Sequence, residues 1–479
     1  MRLAATALAG ALGLMAPLMI LGVSSVATAQ SAEDIRIAEQ LRDRALEGSG
    51  AWEIVEELTT RFGPRPAGSA SEQASAQWGA ELMTGMGFAN VEIESFPLKL
   101  WERGETRVEI LTPFPQPLVA TALGGTVSTP PGGIEAEAVI FETYQELLDQ
   151  PEGSLTGKIV VVLQDTVPAQ DGRGYGTSSP IRGQGPFEAA SRGAVGYVLR
   201  SLGTHDHRFA HTGATRVGEG QIPAFAISPP DADQLRRAQR LSDEPIRMRL
   251  VSGAGFVADS HSQNVVAEVV GWEFPDQVIV IGGHLDSWDL GTGAIDDGAG
   301  VAITTAALKL IEDLPVQPRR TIRVVWWGSE EVSQPPPSQG LAGARFYAGR
   351  RAGELEMHVA ASESDFGADR IYSLALPAGA GDSDLRRAAM RVLTPLGILF
   401  DGAPATGGGP DTTPLVQAGV PAFRLNQQGM DYFDWHHTAD DVLDRIDPEA
   451  LDQNVAAWAA FLWLLANSDI DFRALRAAQ

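Results

Sequence analysis

The chain of 479 residues has no cysteine, which excludes disulfides, thiolate metal ligands and a cysteine nucleophile together. Lysine is almost as scarce, with Lys99, Lys158 and Lys309 the only three. The 36 basic residues are outnumbered by 61 acidic ones, giving a net charge of −25. A surface of that sign repels phosphate backbones, so a nucleic-acid partner is not expected. Long apolar runs are few, namely Leu3 to Val23 and the shorter Val455 to Ala466. The remaining composition, 44% hydrophobic and 20% charged, is that of a globular chain and excludes a wholly disordered or fibrous one.

The first apolar run follows Arg2 and is closed by Ala27-Thr28-Ala29 before Gln30. That order of charged, apolar and small residues predicts a cleavable secretory signal over 1–29. The alternative, an uncleaved anchor, is weakened by Pro17 and by Gly10, Gly13 and Gly22. Export to the periplasm or the extracellular space is expected, with no stable membrane association after cleavage. Val455 to Ala466 is too short to cross a bilayer and predicts a buried terminal helix.

Periodicity predicts an α/β chain. Helical spacing runs from Ile35 to Arg61 and again from Ser71 to Met86, and Val91 to Phe96 alternates like a strand. Gln277 to Ile281 and Thr321 to Trp327 are short continuous apolar runs separated by a helical stretch from Gly300 to Leu314. This is the strand–helix–strand rhythm of a largely buried sheet. Val420 to Leu425 reads as a further strand. Between the clusters Pro130-Pro131-Gly132-Gly133 and Gly253-Ala254-Gly255, short strand-like runs (Lys158 to Leu163, Ala194 to Leu199, Ile222 to Ile227) sit among Gly, Pro, Thr and Arg. A small inserted domain over 125–255 is expected, with 30–124 and 256–479 forming one larger α/β domain.

The polar residues at the ends of the apolar runs carry the chemistry. His284-Leu285-Asp286 follows the first run, Asp296-Asp297 opens the next helix, and Glu330-Glu331 follows the second run. Glu363-Ser364-Asp365 comes later, and His436-His437 lies beyond the Val420 run, with Asp441 just after. Loops at the carboxyl ends of strands in an open α/β sheet gather on one edge, so these clusters can converge. Two imidazoles and three carboxylates without sulfur suit Zn²⁺ in an open site, with Mn²⁺ or Co²⁺ as substitutes. Two cations about 3.5–4 Å apart need one shared carboxylate and two further ligands each. Asp296 as the shared group, His284 with Asp365, and Glu331 with His437 satisfy that count. Asp286 is placed to take the second N–H of His284 and fix its tautomer. One member of the Glu330-Glu331 pair binds metal while the other is free to take a proton from water, whose pKa a cation lowers to about 7. Singly, each motif is more often a turn, a helix end or a surface histidine. Their joint order at strand ends is what points to a metal centre.

Taken together, His284-Leu285-Asp286-Ser287-Trp288-Asp289, Gly293-Ala294-Ile295-Asp296-Asp297-Gly298, Glu330-Glu331, Glu363-Ser364-Asp365 and His436-His437-Thr438 resemble the M28 family of dizinc peptidases. The Trp288-Asp289 extension and Gln417-Ala418-Gly419-Val420-Pro421 resemble its carboxypeptidase Q branch. The insert, with Gly157-Lys158-Ile159-Val160-Val161 and Ile222-Pro223-Ala224, resembles a protease-associated domain, and Phe62 to Ser69 resembles the family's N-terminal segment. The resemblance implies a mixed-sheet zinc-peptidase domain with that smaller domain inserted. It also implies two Zn²⁺ per chain bridged by Asp296, Glu330 as general base, and a cis peptide between Asp296 and Asp297. Asp286, Asp297 and Asp441 would support the ligands, and a homodimer is implied by the resemblance alone. Two departures stand out. Ser333-Gln334-Pro335-Pro336-Pro337-Ser338-Gln339 intervenes after Glu-Glu, and Asp411-Thr412-Thr413 stands where many aminopeptidase members carry Asp-His.

The expected activity is an exported metallo-exopeptidase acting on dipeptides or short peptides. An aminopeptidase is the alternative, and a receptor-like module without catalysis is disfavoured because every ligand type is present. The M20 peptidases also pair H-x-D with Glu-Glu but carry their extra domain after the Glu-Glu, whereas here the insert precedes His284. His436 is a candidate donor to the oxyanion. His207 and His211 in the insert are candidates to hold the substrate's free terminus.

Overall fold

The computed structural model describes residues 30–337 and 340–477. The expected signal segment and the tip of the proline loop, Ser338-Gln339, lie outside the described residues. The central sheet has five strands in the order Ala89–Glu102, Gly255–Val269, Arg320–Trp327, Phe274–His284 and His358–Glu363. The first two pairings are antiparallel and the last two parallel, so the sheet is mixed. All eight residues of Arg320–Trp327 are buried, which is why its sequence reads as a continuous apolar run instead of an alternating one. Successive side chains leave opposite faces. Ile322, Val324 and Trp326 join the larger core, and Val325 and Trp327 pack with Tyr347 on the other side.

Helices Ala299–Glu312 and Pro448–Ala466 cover the first face, together with Ala32–Ala45 and Ala51–Phe62. Every residue from Val455 to Ala466 is buried, as expected for a terminal helix sealed in the core. The stretch expected as one helix from Ile35 to Arg61 is two, because Gly48 and Gly50 turn the chain at φ 128° and 81°. Only glycine adopts such angles without strain. The expected Val420 strand also moves. Strand Arg424–Gln427 pairs antiparallel with Ile371–Ala375 in a separate three-stranded sheet, while Ala422 makes only an isolated bridge to Ala361.

A second sheet of eight strands is drawn entirely from Thr106 to Ser252. It has its own cores on both faces, one around Phe225 and Met248 and one around Tyr197 and Leu199. Strands Thr106–Thr112, Gln116–Leu118 and Ala120–Ala122 belong to it although they precede residue 125. Thr106–Thr112 is recruited by pairing with Arg247–Ser252, a partner too distant in sequence for local turn signals to reveal. Among the described residues no helix is long and apolar enough to cross a membrane.

Candidate metal centre

The parallel strands align His284 with Trp327 and Gly282 with Glu363. Their carboxyl ends therefore deliver His284, Glu330-Glu331 and Asp365 to one edge of the sheet. Asp296 reaches that edge from the turn Ala294–Gly298, ahead of helix Ala299–Glu312. His437 arrives from the loop after the short helix Tyr432–Trp435, not from a strand end.

Nε2 of His284 lies 3.2 Å from Asp296 Oδ1 and 3.7 Å from Asp365 Oδ1. Nε2 of His437 lies 3.0 Å from Asp296 Oδ2 and 2.9 Å from Glu331 Oε2. Metal–ligand bonds of about 2.0–2.2 Å at tetrahedral angles separate neighbouring ligand atoms by about 3.3–3.6 Å. Both triples, His284–Asp296–Asp365 and Asp296–Glu331–His437, thus have the spacing that surrounds a small cation. The two oxygens of Asp296 face different triples. Glu331 Oε1 is buried with no hydrogen-bond partner, an expensive arrangement for a carboxylate unless a cation compensates it. Burial pushes the carboxyls of Glu330 and Glu331 well above the usual range, and nearby carboxylates add to it. At Asp296 burial acts the same way, but His436, His284 and His437 outweigh it and hold the group well below its usual value. The donor set fits zinc.

The supporting residues act mainly through the backbone. Nδ1 of His284 donates to the main-chain oxygen of Asp286 at 2.8 Å, while the Asp286 carboxylate is 3.9 Å away. The expected carboxylate–imidazole contact is therefore replaced by a carbonyl, which fixes the same tautomer. The Asp286 carboxylate instead accepts the N–H groups of Glu330 (2.9 Å) and Glu331 (3.2 Å). It pins the turn after Ser329, whose φ is 59°. Asp297 accepts from the N–H groups of His284 and Gly300, both at 3.0 Å, and its peptide with Asp296 is cis. Asp441 accepts the Ile295 N–H at 2.7 Å and so steadies the turn that carries Asp296.

Nothing in the sequence marks Arg65 beyond its place in the Phe62 to Ser69 segment. It is fully buried, and its guanidinium donates to the carbonyls of Leu285 (2.7 Å), Thr292 (2.7 Å) and Gly293 (2.8 Å). These are the loops that bring in His284 and Asp296. Burial lowers its pKa to about 10, still charged near neutrality. Arg65→Lys keeps the charge but loses the fork, and should cost about 2–4 kcal/mol of stability. An unchanged midpoint in urea unfolding would remove Arg65 from this role.

A cavity of about 310 Å³ opens onto both triples, with Glu330, Phe366, Tyr432 and Ser333 in its wall. Ser333 is the first residue of the proline-rich departure, which therefore does border the site. The second departure, Asp411, is buried against Glu363, whose Oε2 accepts the Asp411 N–H at 2.8 Å. Burial and the neighbouring Asp365 push Glu363 up to about 8. The eight-stranded unit also contributes Tyr175 and Arg182, from helix Arg173–Gly183, to the cavity. Neither drew attention in the sequence, since nothing local distinguishes them. Arg182 donates to the hydroxyl of Tyr175 and to the carbonyls of Thr212 and Ala214. Among the described residues no carboxylate pairs with it.

The histidines of the insert divide. His207 is exposed, stacks near Phe209 and Trp435, and does not line the cavity at the two triples. The turn aims His205 inward instead, with Nδ1 accepting the His207 N–H at 3.2 Å. His211 is buried and reaches His436, while His436 stacks on His437 at 3.5 Å between ring centroids.

A family model described as Peptidase family M28 matches residues 264–462. Carboxypeptidase Q of Mus musculus is 32% identical over 416 residues, covering 86% of this chain and 84% of that protein. A solved M28 peptidase precursor from Shewanella amazonensis SB2B superposes with a TM-score of 0.87 at 45% identity, over 92% of this chain and 98% of that one. The zinc aminopeptidase BSAP of Bacillus subtilis, at 19% identity, has the same fold with a TM-score of 0.62 over 88% of this chain and 97% of its own.

Proposed function

The chain belongs to peptidase family M28 and is a metallopeptidase, and from that premise we propose that it is a dizinc exopeptidase acting on dipeptides or short peptides with a free carboxyl terminus. The observation that carries the carboxyl-terminal reading is Arg182, a guanidinium in the wall of the ligand cavity with no acidic partner among the described residues. Its Nε and Nη1 donate to Ala214, Thr212 and Tyr175, which hold the group in place, and its charge with the remaining Nη2 suits a carboxylate.

His284, Asp296 and Asp365 would hold one ion, and Asp296, Glu331 and His437 the other. Bound there, a pair of zinc ions would polarise the scissile carbonyl and make water acidic enough to ionise near neutral pH. Glu330, which borders the cavity beside Glu331 and is steadied through its N–H by Asp286, takes the proton of the attacking water and passes it to the leaving amine. His436 donates to the carbonyl oxygen as negative charge builds on it. Tyr175 orients Arg182 toward the substrate's carboxylate.

The eight-stranded unit between Thr106 and Ser252 is, in this reading, the protease-associated-type domain expected over 125–255, and residues 1–29 direct export to the periplasm or beyond. The aminopeptidase alternative predicts release of the N-terminal residue from peptides amidated at the C-terminus. A dipeptide library with free and blocked termini separates the two. Arg182→Ala should raise KM about tenfold to a hundredfold for free-carboxylate substrates. An equal rise for amidated ones would defeat the carboxyl-terminal reading.

A further inference from the structure

His211 and His436 form a contact between the eight-stranded unit and the metal centre. His211 is 1% exposed, and its Nε2 lies 3.1 Å from Nδ1 of His436. The remaining nitrogens differ in surroundings. Nδ1 of His211 is buried with no hydrogen-bond partner. Nε2 of His436 lies 3.4 Å from Asp296 Oδ2, and His436 lines the cavity.

One proton occupies the line between the two rings, and it belongs to one of them. If His436 donated through Nδ1, His211 would carry its own hydrogen on Nδ1, a buried N–H with no acceptor. Orphaned buried donors are among the rarest defects in folded proteins. His436 would also turn a bare Nε2 lone pair, not an N–H, toward Asp296 Oδ2 and the cavity. If His211 donates through Nε2, its Nδ1 is left with an unpaired lone pair instead of an orphaned N–H, the less costly of the two defects. The hydrogen of His436 then sits on Nε2 and points toward Asp296 and the cavity.

We propose that His211 holds His436 as the Nε2–H tautomer, so that His436 enters the cavity as a hydrogen-bond donor to the substrate's carbonyl oxygen, with His211 as its positioning residue. This rests on the peptidase reading of the site. His211 is thereby removed from direct substrate contact, since it is sealed behind His436. It also gives the two adjacent histidines different tasks, His437 offering a lone pair to a metal and His436 offering a proton to the substrate. The eight-stranded unit takes part in transition-state binding through a ring that never touches the substrate.

The test uses the zinc-loaded full chain labelled with ¹⁵N-histidine. The nitrogen shifts of His436 should show a hydrogen-bearing Nε2 and a bare Nδ1, and His211→Ala should convert this to a mixture of tautomers. The same variant should lower kcat on a cleavable dipeptide about tenfold while KM stays within about twofold, because donation is lost only where charge develops. His211→Gln, whose amide reaches the position of Nε2, should restore most of the rate. In a His436→Ala background, itself about 10²-fold down in kcat with both metals retained, the His211 change should add nothing. His207→Ala, on the outer side of the same loop, should leave shifts and rates unchanged. A hydrogen on Nδ1 of His436 in the wild type overturns the assignment, as does normal kcat in His436→Ala. Absence of dipeptide hydrolysis by the wild type overturns the peptidase reading instead, and the nitrogen shifts still decide the tautomer.

Discussion

Glu330→Gln should retain its full metal complement while kcat falls by about 10²–10⁴-fold or more, the range associated with loss of a general base. The substitution is nearly isosteric and leaves in place the backbone N–H that donates to Asp286, so the turn that presents Glu331 keeps its anchor. What disappears is, among the described residues, the one carboxylate in the cavity wall that joins neither candidate triple. Asp365 and Glu331 cannot replace it, because each is engaged with an imidazole-bearing triple. Turnover and metal content measured on the same preparation give the answer. A kcat near that of the wild type with both metals present would mean that another group accepts the proton.

Asp296→Ala should lose metal and activity together. Its two oxygens serve different triples, so the substitution leaves His284 with Asp365 and Glu331 with His437, two donors on each side. Metal content should fall below one ion per chain, and hydrolysis should reach background. Stability supplies an independent readout. A ligand that binds only the folded state stabilises it by about 2.7 kcal/mol at a free concentration one hundred times its Kd. Chelation should therefore lower the unfolding temperature of the wild type but leave that of Asp296→Ala unmoved. Asp296→Asn, which keeps the shape and loses the charge, should fall between them. Two ions retained in Asp296→Ala would mean that Asp296 is not the shared ligand.

Much of the centre was legible along the chain for a definite reason. Buried parallel strands are short continuous apolar runs, and in such a sheet the residues just beyond them face one edge. His284, Glu331 and Asp365 could be placed together from that rule alone. Asp296 followed from its position at the start of a helix, and the M28 resemblance from the wording of the motifs themselves. Helix and strand types were legible wherever the apolar period was long. They failed at Gly48 to Gly50, where backbone conformation overrode an apparently continuous pattern, and at Val420, where a strand is defined by a partner beyond the central sheet.

What only the tertiary structure decided is the set of contacts between residues far apart in sequence. Asp286 holds two backbone N–H groups in a loop on the neighbouring strand instead of the imidazole two residues away. Arg65 satisfies three carbonyls more than two hundred positions downstream. Arg182 and His211 reach the centre from a different sheet altogether. A local pattern reports how a segment folds against its nearest neighbours and which face it buries. It carries no record of which distant carbonyl, carboxylate or ring will complete a polar group's hydrogen bonds, because that is settled only when the packed sheets bring the groups within reach.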